Sequence, residues 1–315
     1  MTQLHPQIRE VLRVMGEAGL RPIEEMTPAE AREQMEATAR ARKAEPLRIG
    51  KIEERLVPGP GGAIRLRLYW PHQSTELTPA IAYFHGGGHV IGSLDTHDFI
   101  ARNLCGGTGA IVVSVDYRMG PEHKFPAAVD DCFAALQWVH ANAASLSADP
   151  ERIGVHGDSA GANLAAVAAL LARDAGGPQL RLQSLVYPGT DYGLASDSYN
   201  KYANGYGILT RDAMVWFRDH YLRRPEDAND WRASPIRAAD LAGVAPAVVI
   251  TAEFDVLHDD GERYADALRR AGVPVEYKEF PGMIHAFFGM VPAVDDAMNA
   301  QRMVWAAFKR AFASA

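Results

Sequence analysis

The fold of this 315-residue chain is decided by the stretch Gly157-Asp158-Ser159-Ala160-Gly161. Directly before it lies a short apolar run, residues 153–155, and directly after it residues 162–173 are rich in alanine and leucine. These flanks predict a strand and a helix, so Ser159 lies on a sharp strand-to-helix turn of the kind called a nucleophile elbow. The glycines tolerate the cramped turn and let the serine hydroxyl project from the end of a sheet. Because the pattern also arises by chance, its context carries the prediction.

A second motif occupies residues 85–88, His85-Gly86-Gly87-Gly88. It follows the apolar run 80–84 and lies about seventy residues before Ser159. Consecutive glycines let backbone N–H groups approach a substrate oxygen, where negative charge develops during attack by a nucleophile. The alternative is a flexible loop. The position after a strand and upstream of an elbow favours an oxyanion hole.

A serine hydroxyl is a poor nucleophile at neutral pH and needs a base, and the base needs an acid that orients it. In elbow enzymes the acid and the base follow the serine in that order, on loops after later strands. His285 fits the base because it lies just beyond the apolar run 275–280. Asp255 fits the acid because it follows the run 247–251.

Other residues compete for these two roles. His258 and His220 also lie downstream of the serine, but neither directly follows a predicted strand. Glu253 is the second choice for the acid. These three residues remain alternatives at the level of sequence.

Aspartates near a helix start have a simpler explanation, since they stabilise the positive end of the helix. Asp259 and Asp260 lie closer than Asp255 to the helix predicted from about residue 261 to 270, and they can serve that purpose. Asp255 is therefore left for catalysis. Asp158 has two equal readings: it tunes the elbow by hydrogen bonding, or it is merely tolerated on the turn.

Six short apolar runs separated by helical stretches are typical of a parallel sheet covered on both faces. The runs are Ala80 to Phe84, Ala110 to Val115, Ile153 to Val155, Leu182 to Val186, Ala247 to Thr251 and Val275 to Phe280. Before them, alternation over residues 64–68 after the turn at 58–62 predicts an antiparallel hairpin.

Two segments interrupt this α/β rhythm. Residues 1–45 predict helices, one of them announced by a capping box at residues 27–30. Residues 190–235 form an insertion rich in Tyr, Asn, Gly and Trp, with a helix after Thr210. We therefore assign residues 46–189 and 236–315 to one α/β domain, with residues 1–45 as a helical preface and residues 190–235 as an appendage.

Composition excludes several classes of protein. An apolar fraction of 48% excludes a disordered chain, and a formal charge of −7 without basic runs argues against nucleic-acid or membrane partners. The two cysteines form no CxxC or zinc-ligand pattern, so no metal is expected, and no organic cofactor is implied. Charged residues interrupt the N-terminal apolar pattern, which excludes a signal peptide or membrane span and predicts a soluble, cytoplasmic protein.

With these motifs in place the chain closely resembles the hormone-sensitive-lipase-like, or bacterial family IV, carboxylesterases. The resemblance covers nearly the whole chain and includes four further stretches: Asp116-Tyr117-Arg118, Pro121-Glu122, Phe125-Pro126-Ala127-Ala128 and Tyr187-Pro188. It implies the α/β-hydrolase fold, with a mostly parallel eight-stranded sheet and helices on both faces. It also implies that residues 1–45 and 190–235 together form a helical cap over the catalytic domain of residues 46–189 and 236–315. It departs at Met119-Gly120, where the family often has Leu-Ala.

The resemblance also implies roles for the motif residues. Ser159, Asp255 and His285 would form the triad, and the N–H groups of Gly87, Gly88 and Ala160 would form the oxyanion hole. The other residues of the two motifs would support the triad and the oxyanion hole, namely His85, Gly86, Gly157, Asp158 and Gly161. Members of this family often form homodimers, so a homodimer is expected here.

The expected activity is hydrolysis of small-molecule esters with short to medium acyl chains through an acyl-enzyme. One alternative is hydrolysis of amides or formamides, which uses the same groups. Another is a small-molecule receptor of the same fold that binds without turnover. Three aromatic residues of the insertion, Tyr202, Tyr206 and Trp216, either wall an acyl pocket or pack the cap onto the main domain.

Overall fold

The computed structural model of the protein describes residues 3–42, 44–71 and 76–313. Positions 1–2, 43, 72–75 and 314–315 lie outside the described residues. They belong to the predicted units at residues 1–45, 46–189 and 236–315. The described strands are β1 (Lys51–Gly59), β2 (Gly62–Trp70), β3 (Thr78–Phe84), β4 (Ile111–Asp116), β5 (Ala148–Asp158), β6 (Leu180–Val186), β7 (Ala247–Phe254) and β8 (Val275–Ile284). The described α-helices are α1 (Pro6–Glu17), α2 (Pro28–Arg40), α3 (Asp98–Thr108), α4 (Ala127–Ala141), α5 (Ala143–Leu146), α6 (Ala160–Asp174), α7 (Asp197–Lys201), α8 (Arg211–Tyr221), α9 (His258–Arg270) and α10 (Asp295–Ala313).

The eight strands form one sheet in the order β1-β2-β4-β3-β5-β6-β7-β8. Only β2 runs antiparallel to its neighbours, and every pair from β4 to β8 is parallel. The predicted hairpin is confirmed: Gly59 pairs with Gly62, which leaves Pro60 and Gly61 as a two-residue turn. The predicted fold class, an α/β-hydrolase with a mostly parallel sheet, is confirmed by this topology.

Both faces of the sheet are covered, which explains why the strands read as continuous apolar runs. On one face α4, α6 and α9 contribute buried leucines, among them Leu136, Leu164 and Leu268. On the other face α3 and α10 contribute Leu104 and Phe308. Among the described helices, none combines the length and the apolar character needed to cross a membrane.

The strand β5 is longer than its apolar run predicts, and it continues through polar residues to Asp158. Its side chains remain buried there because they have polar partners in the interior. His156 Nδ1, for example, lies 3.0 Å from Ser184 Oγ on β6. Apolar patterning underestimates a strand wherever buried polar groups are satisfied by neighbours that are distant in sequence.

The N-terminal helices and the 190–235 insertion contact each other above the sheet. Thr210 caps α8 as predicted, and its Oγ1 also donates to Glu24 Oε1 at 2.7 Å. Trp216 Nε1 donates to the carbonyl oxygen of Met26 at 3.1 Å. The predicted capping box at Thr27 is present as well. Two segments separated by some 150 residues thus form one layer.

The insertion is joined to α9 by a buried carboxyl group. Helix α9 begins at His258, three residues before the predicted start, and Asp260 Oδ2 accepts hydrogen bonds from Thr190 N at 3.0 Å and Asp191 N at 3.1 Å. The Asp260 carboxyl therefore holds the start of the insertion in addition to lying in the first turn of its helix. Burial raises its pKa to about 7, although the two backbone hydrogen bonds act in the opposite direction.

We expect Asp260→Asn to remove a pH dependence of stability. Because the folded-state pKa of Asp260 is raised above its ordinary value of 3.8, the stabilisation that this group contributes is fully present below about pH 4 and is lost as the pH rises through about 7. This contribution to the free energy of unfolding is at most about 4 kcal/mol. An Asn oxygen still accepts both backbone hydrogen bonds but does not ionise. Urea unfolding at pH 5 and pH 8 measures the effect, with Asp266→Asn, at a half-exposed aspartate of the same helix, as control. If the free energy of unfolding changed equally between pH 5 and pH 8 in Asp260→Asn and in the wild type, the expectation would be contradicted.

Candidate active site

Ser159 occupies the sharp turn between β5 and α6. Its backbone angles are φ 55° and ψ −120°, a region that non-glycine residues rarely adopt and that costs about 1–3 kcal/mol. The turn is held from outside, because Ser159 N donates to the carbonyl oxygen of Val186 on β6 at 2.8 Å. Such a strained turn places the hydroxyl at the carboxyl end of the sheet.

The two glycines of the motif are required by lack of space. A Cβ atom on Gly157 would lie 2.1 Å from the carbonyl oxygen of Gly161. A Cβ atom on Gly161 would lie 1.9 Å from the carbonyl oxygen of Phe84. Both contacts involve backbone atoms, which cannot rotate away. Residues 157–161 can therefore follow this path only with glycine at both positions.

Ser159, His285 and Asp255 are joined in a chain of hydrogen bonds. The distance from Ser159 Oγ to His285 Nε2 is 3.0 Å, and His285 Nδ1 lies 2.7 Å from Asp255 Oδ2. The backbone N–H of Leu257 donates to the other carboxylate oxygen of Asp255 at 2.9 Å. A carboxylate beside Nδ1 requires a proton there, so Nε2 is free to accept the serine proton.

The sheet brings these three side chains together from distant parts of the chain. Asp255 directly follows β7, and His285 directly follows β8. The carboxyl ends of neighbouring parallel strands meet at one edge, where β5 also ends. Asp255 is 1% exposed and His285 7% exposed, so their attraction is little screened by water. The ring of Tyr187, which follows β6, lies 4.6 Å from the imidazole ring.

The competing residues have other partners. His258 contacts the carboxylates of Asp259 at 3.0 Å and Glu279 at 2.7 Å. Glu253 accepts a hydrogen bond from the backbone N–H of Gly282 at 2.8 Å. His220 lies within α8, where its Nδ1 is 2.8 Å from the carbonyl oxygen of Trp216. None of His258, Glu253 and His220 is among the described residues that line the Ser159 cavity.

The loop at residues 85–88 passes beside Ser159 with two glycines at positive φ. Gly87 has φ 116°, and a Cβ atom on it would lie 2.1 Å from the carbonyl oxygen of Ile91. Gly88 has φ 61°, and a Cβ atom on it would lie 2.1 Å from the Phe217 ring. Both glycines line the same cavity as Ser159 and Ala160.

Three backbone N–H groups at this cavity are free to bind an oxygen. Ala160 is the first residue of α6, so its N–H has no partner within the helix. In the described part of the chain, the N–H groups of Gly87 and Gly88 donate to no other residue. Unpaired donors beside a serine hydroxyl are the arrangement that stabilises an oxyanion.

His85 is the first residue of this loop, and it is not among the described residues that line the cavity. It is fully buried, its ring stacks at 4.4 Å on Tyr117, and Tyr117 Oη donates to the His85 carbonyl oxygen at 2.7 Å. Burial, together with the neighbouring His97, lowers the His85 pKa to about 3. The imidazole is thus neutral at ordinary pH and its contacts fix the loop.

Asp158 is a buried carboxylate that links the elbow to the glycine loop. Tyr83 Oη donates to its Oδ1 at 2.8 Å, and His97 Nε2 lies 3.6 Å from its Oδ2. A Cβ atom on Gly86 would lie 2.5 Å from the same oxygen. Burial alone would raise the pKa of Asp158, but His97 and Tyr83 outweigh it and hold the pKa at about 2. Of the two readings of Asp158, the geometry favours hydrogen bonding that tunes the elbow.

The Ser159 cavity has a volume of about 180 Å³ and is walled by both helical segments. Ile23 and Met35 come from the N-terminal segment, and Leu209, Met214 and Phe217 come from the insertion.

Of the two alternatives for Tyr202, Tyr206 and Trp216, packing describes them, since none of the three is among the described residues that line the Ser159 cavity. Tyr202 and Tyr206 pack against Phe254 at 5.6 and 5.4 Å, and Trp216 bonds to Met26. Helical periodicity reveals an apolar face of α8 but not which neighbour covers it.

One group of side chains has the composition of a metal site. The potential ligand atoms of His258, Asp259 and Glu262 all lie within 4.8 Å of one another. Both ring nitrogens of His258 already contact carboxylates, and none of the three residues lines the Ser159 cavity. The chemistry at Ser159 uses none of them.

Several residues of the site escaped sequence reasoning. The partners of Asp158, namely Tyr83 and His97, lie on β3 and just before α3, and neither carries a local motif. In the sequence, Tyr187 stood out only as part of the Tyr187-Pro188 stretch, which follows β6. Contacts between residues about 60 to 75 positions apart leave no trace in a pattern of spacing.

Comparison with known proteins agrees with this geometry. A family model described as alpha/beta hydrolase fold matches residues 81–289. The chain is 46% identical over 266 residues to carboxylesterase NlhH of Mycobacterium tuberculosis, which covers 83% of each protein. It is 36% identical over 313 residues to an ethyl acetate hydrolase of Pseudomonas putida, covering 96% of this chain and 97% of that one. A solved hyperthermophilic esterase from Pyrobaculum calidifontis superposes with a TM-score of 0.94 at 42% identity, covering 98% of both chains.

The chain belongs to the hormone-sensitive-lipase-like carboxylesterases of the α/β-hydrolase superfamily. It is a serine carboxylic ester hydrolase, and its substrates are small-molecule esters. The predicted carboxylesterase is thereby confirmed.

Proposed function

We propose that Ser159 is the nucleophile, His285 the general base and acid, and Asp255 the residue that orients His285. The hydrogen-bonded chain from Ser159 Oγ through the imidazole to the buried carboxylate carries this assignment. Such a chain removes the serine proton as the hydroxyl attacks and stabilises the imidazolium that forms.

Hydrolysis then follows two steps. Ser159 Oγ bonds to the ester carbonyl carbon while its proton passes to His285 Nε2, and that proton is delivered to the departing alcohol oxygen. Water then gives a proton to His285 while its oxygen bonds to the acyl carbon. His285 returns that proton to Ser159 Oγ as the bond from Oγ to the acyl carbon breaks, which releases the acid and restores Ser159. The N–H groups of Gly87, Gly88 and Ala160 would stabilise the oxyanion in each step.

The remaining motif residues hold this geometry in our proposal. Gly157 and Gly161 provide the space for the turn, while Gly86 lets Asp158 approach the loop. His85 anchors the loop through Tyr117.

We assign residues 1–45 and 190–235 to a cap above a catalytic domain of residues 46–189 and 236–315. The lining of the Ser159 cavity supports this division, because Met35 and Phe217 belong to the two segments. The reach of the cavity sets which esters fit.

We also propose a cytoplasmic location and a homodimer. Both cysteines, Cys105 and Cys132, are buried free thiols, as is usual in a reducing compartment. The strand β8 ends the sheet and pairs only with β7 among the described strands. An edge strand of this kind offers backbone groups to a second copy.

A preference for short to medium acyl chains is the expected substrate profile. The Ser159 cavity holds about 180 Å³ and is bounded by Met214 and Phe217. Methylenes that reach beyond it enter a space lined partly by the charged side chains of Glu10 and Arg42, where they gain less binding energy than those buried beside Ser159. In a series of p-nitrophenyl esters from acetate to palmitate, kcat/KM should peak between butyrate and octanoate and fall about tenfold or more by palmitate.

Two variants make this profile specific to the cavity. Phe217→Ala removes a lining ring and should shift the optimum to longer chains. Trp216→Ala removes the neighbouring ring that does not line the cavity and should leave the optimum in place. A rate maximum at palmitate in the wild type would overturn the proposed chain length.

A further inference from the structure

A second, larger cavity opens beside the Ser159 cavity. Its volume is about 730 Å³, and it extends along α1 and α2, where Val11 and Met15 form part of its wall. The two cavities share lining residues, among them Tyr187 and Ala286, the residue that follows His285. A substrate held at Ser159 can therefore extend into this space.

Arg42, at the end of the α2 segment, lines the larger cavity. Its Nη1 atom is completely enclosed and has no hydrogen-bond partner within the described residues. Among those residues its side chain also forms no ion pair, and its guanidinium carbon lies 4.8 Å from the ring centre of Phe99. Burial lowers the pKa of Arg42, while nearby Tyr83 and Tyr187 act in the opposite direction. Arg42 as a whole is only partly buried, so its other guanidinium N–H groups remain accessible from the cavity that it lines. An enclosed donor without a partner is costly, and a ligand that binds the accessible N–H groups would offset part of this cost.

The acidic groups that line the same cavity are already engaged. Asp158 bonds to Tyr83 and lies beside His97, as described above. Glu10 is exposed and pairs with Arg13 at 2.7 Å. Over the described part of the chain, Arg42 is thus the charged lining group of this cavity that lacks a counter-charge.

We propose that the larger cavity is a subsite for the carboxylate of an acidic ester, and that Arg42 binds this carboxylate. The proposal rests on the esterase function assigned to Ser159 and names a substrate class for it, esters that carry a free carboxylate on a medium-length chain. A planar guanidinium matches a carboxylate through two parallel hydrogen bonds, and a largely apolar wall suits the methylenes between the two ends. The distal carboxylate takes no part in the reaction and is released unchanged on the product.

The test compares matched substrates that differ only in charge. The mono-p-nitrophenyl ester of octanedioic acid has a terminal carboxylate, and its neutral counterpart has a terminal carboxamide. A second arm carries the carboxylate on the alcohol, with O-acetyl-8-hydroxyoctanoate against its carboxamide. Together the two arms show which side of the ester enters the cavity.

The ratio of kcat/KM for acid over amide should fall about 10- to 100-fold in Arg42→Met in at least one arm, mainly through KM. The carboxamide rates should stay within about twofold, which also shows that the variant is folded. Arg42→Lys retains the charge but not the planar fork and should recover part of the ratio. Arg40→Met, at the last residue of α2, removes an exposed arginine that lies 3.8 Å from Glu36, and it should leave the ratio unchanged.

An unchanged acid-to-amide ratio in Arg42→Met in both arms would overturn the subsite. Failure of the wild type to hydrolyse even the neutral esters would instead overturn the function assigned to Ser159. Equal losses in Arg42→Met and Arg40→Met would also refute the subsite, because the effect would then be one of general surface charge.

Discussion

Replacing Ser159 with alanine is expected to lower kcat for p-nitrophenyl butyrate by about 10⁴- to 10⁶-fold. The change removes the oxygen that forms the acyl-enzyme, while the three backbone donors near it remain. Alanine has a Cβ like serine, and the hydrogen bond from the backbone N–H of residue 159 to Val186 is kept. The turn should therefore survive, and the melting temperature should stay within a few degrees of the wild type.

The melting temperature reports on the fold, and two further measurements report on the chemistry. Steady-state kinetics gives the rate, and mass spectrometry after treatment with a reactive organophosphate gives the adduct on Ser159, which the variant cannot form. Ser145→Ala, at an exposed serine, is the matched control and should keep full activity and the adduct. Residual activity above about one per cent in a pure, folded variant would be incompatible with the assigned nucleophile.

Asp255→Asn should lower kcat by about 10⁴-fold with little change in the fold. The amide group can present N–H to His285 Nδ1 and so favours the ring tautomer whose Nε2 carries the proton. That nitrogen then has no lone pair to accept the proton of Ser159. The amide oxygen can still accept the hydrogen bond from Leu257 N, so the loop after β7 keeps its shape.

The control for this change is Glu253→Gln, because Glu253 was the second candidate for the acid. Its carboxylate binds the backbone N–H of Gly282 and does not contact His285. The glutamine variant should keep kcat within about tenfold of the wild type. If Glu253→Gln lost as much activity as Asp255→Asn, the assignment of Asp255 as the orienting acid would fail.

Prediction from sequence reached the parts of the fold that local physics decides. Six buried strands were found because a strand covered on both faces is apolar at every position. Their ends were less exact: β5 continues through His156 to Asp158 and β8 reaches Ile284, where buried polar groups or late pairing extend the ladder. Helix α9 begins earlier than its pattern predicts because Asp259 and Asp260 bond to the insertion.

In the active site, too, local sequence decides some features and tertiary contacts decide the others. Ser159, Asp255 and His285 follow strands in a fixed order, so the sequence alone nominates them. The sequence left the walls of the cavity undecided, and in the structure α8 presents Met214 and Phe217 to the cavity and turns Trp216 toward Met26. Which face of a helix meets a cavity depends on the neighbouring segment, which lies almost 200 residues away in the chain.

The sequence by itself determined the elbow, the glycine loop and the order of the triad, because each depends on local geometry: a turn that excludes side chains, or a loop that ends a strand. Only the tertiary structure decided the task of Asp158, the lining of the cavities and the unpaired state of Arg42. Those properties arise when packing removes water from side chains that are distant in the sequence, and the free energy of a buried charge depends on which partners remain within reach.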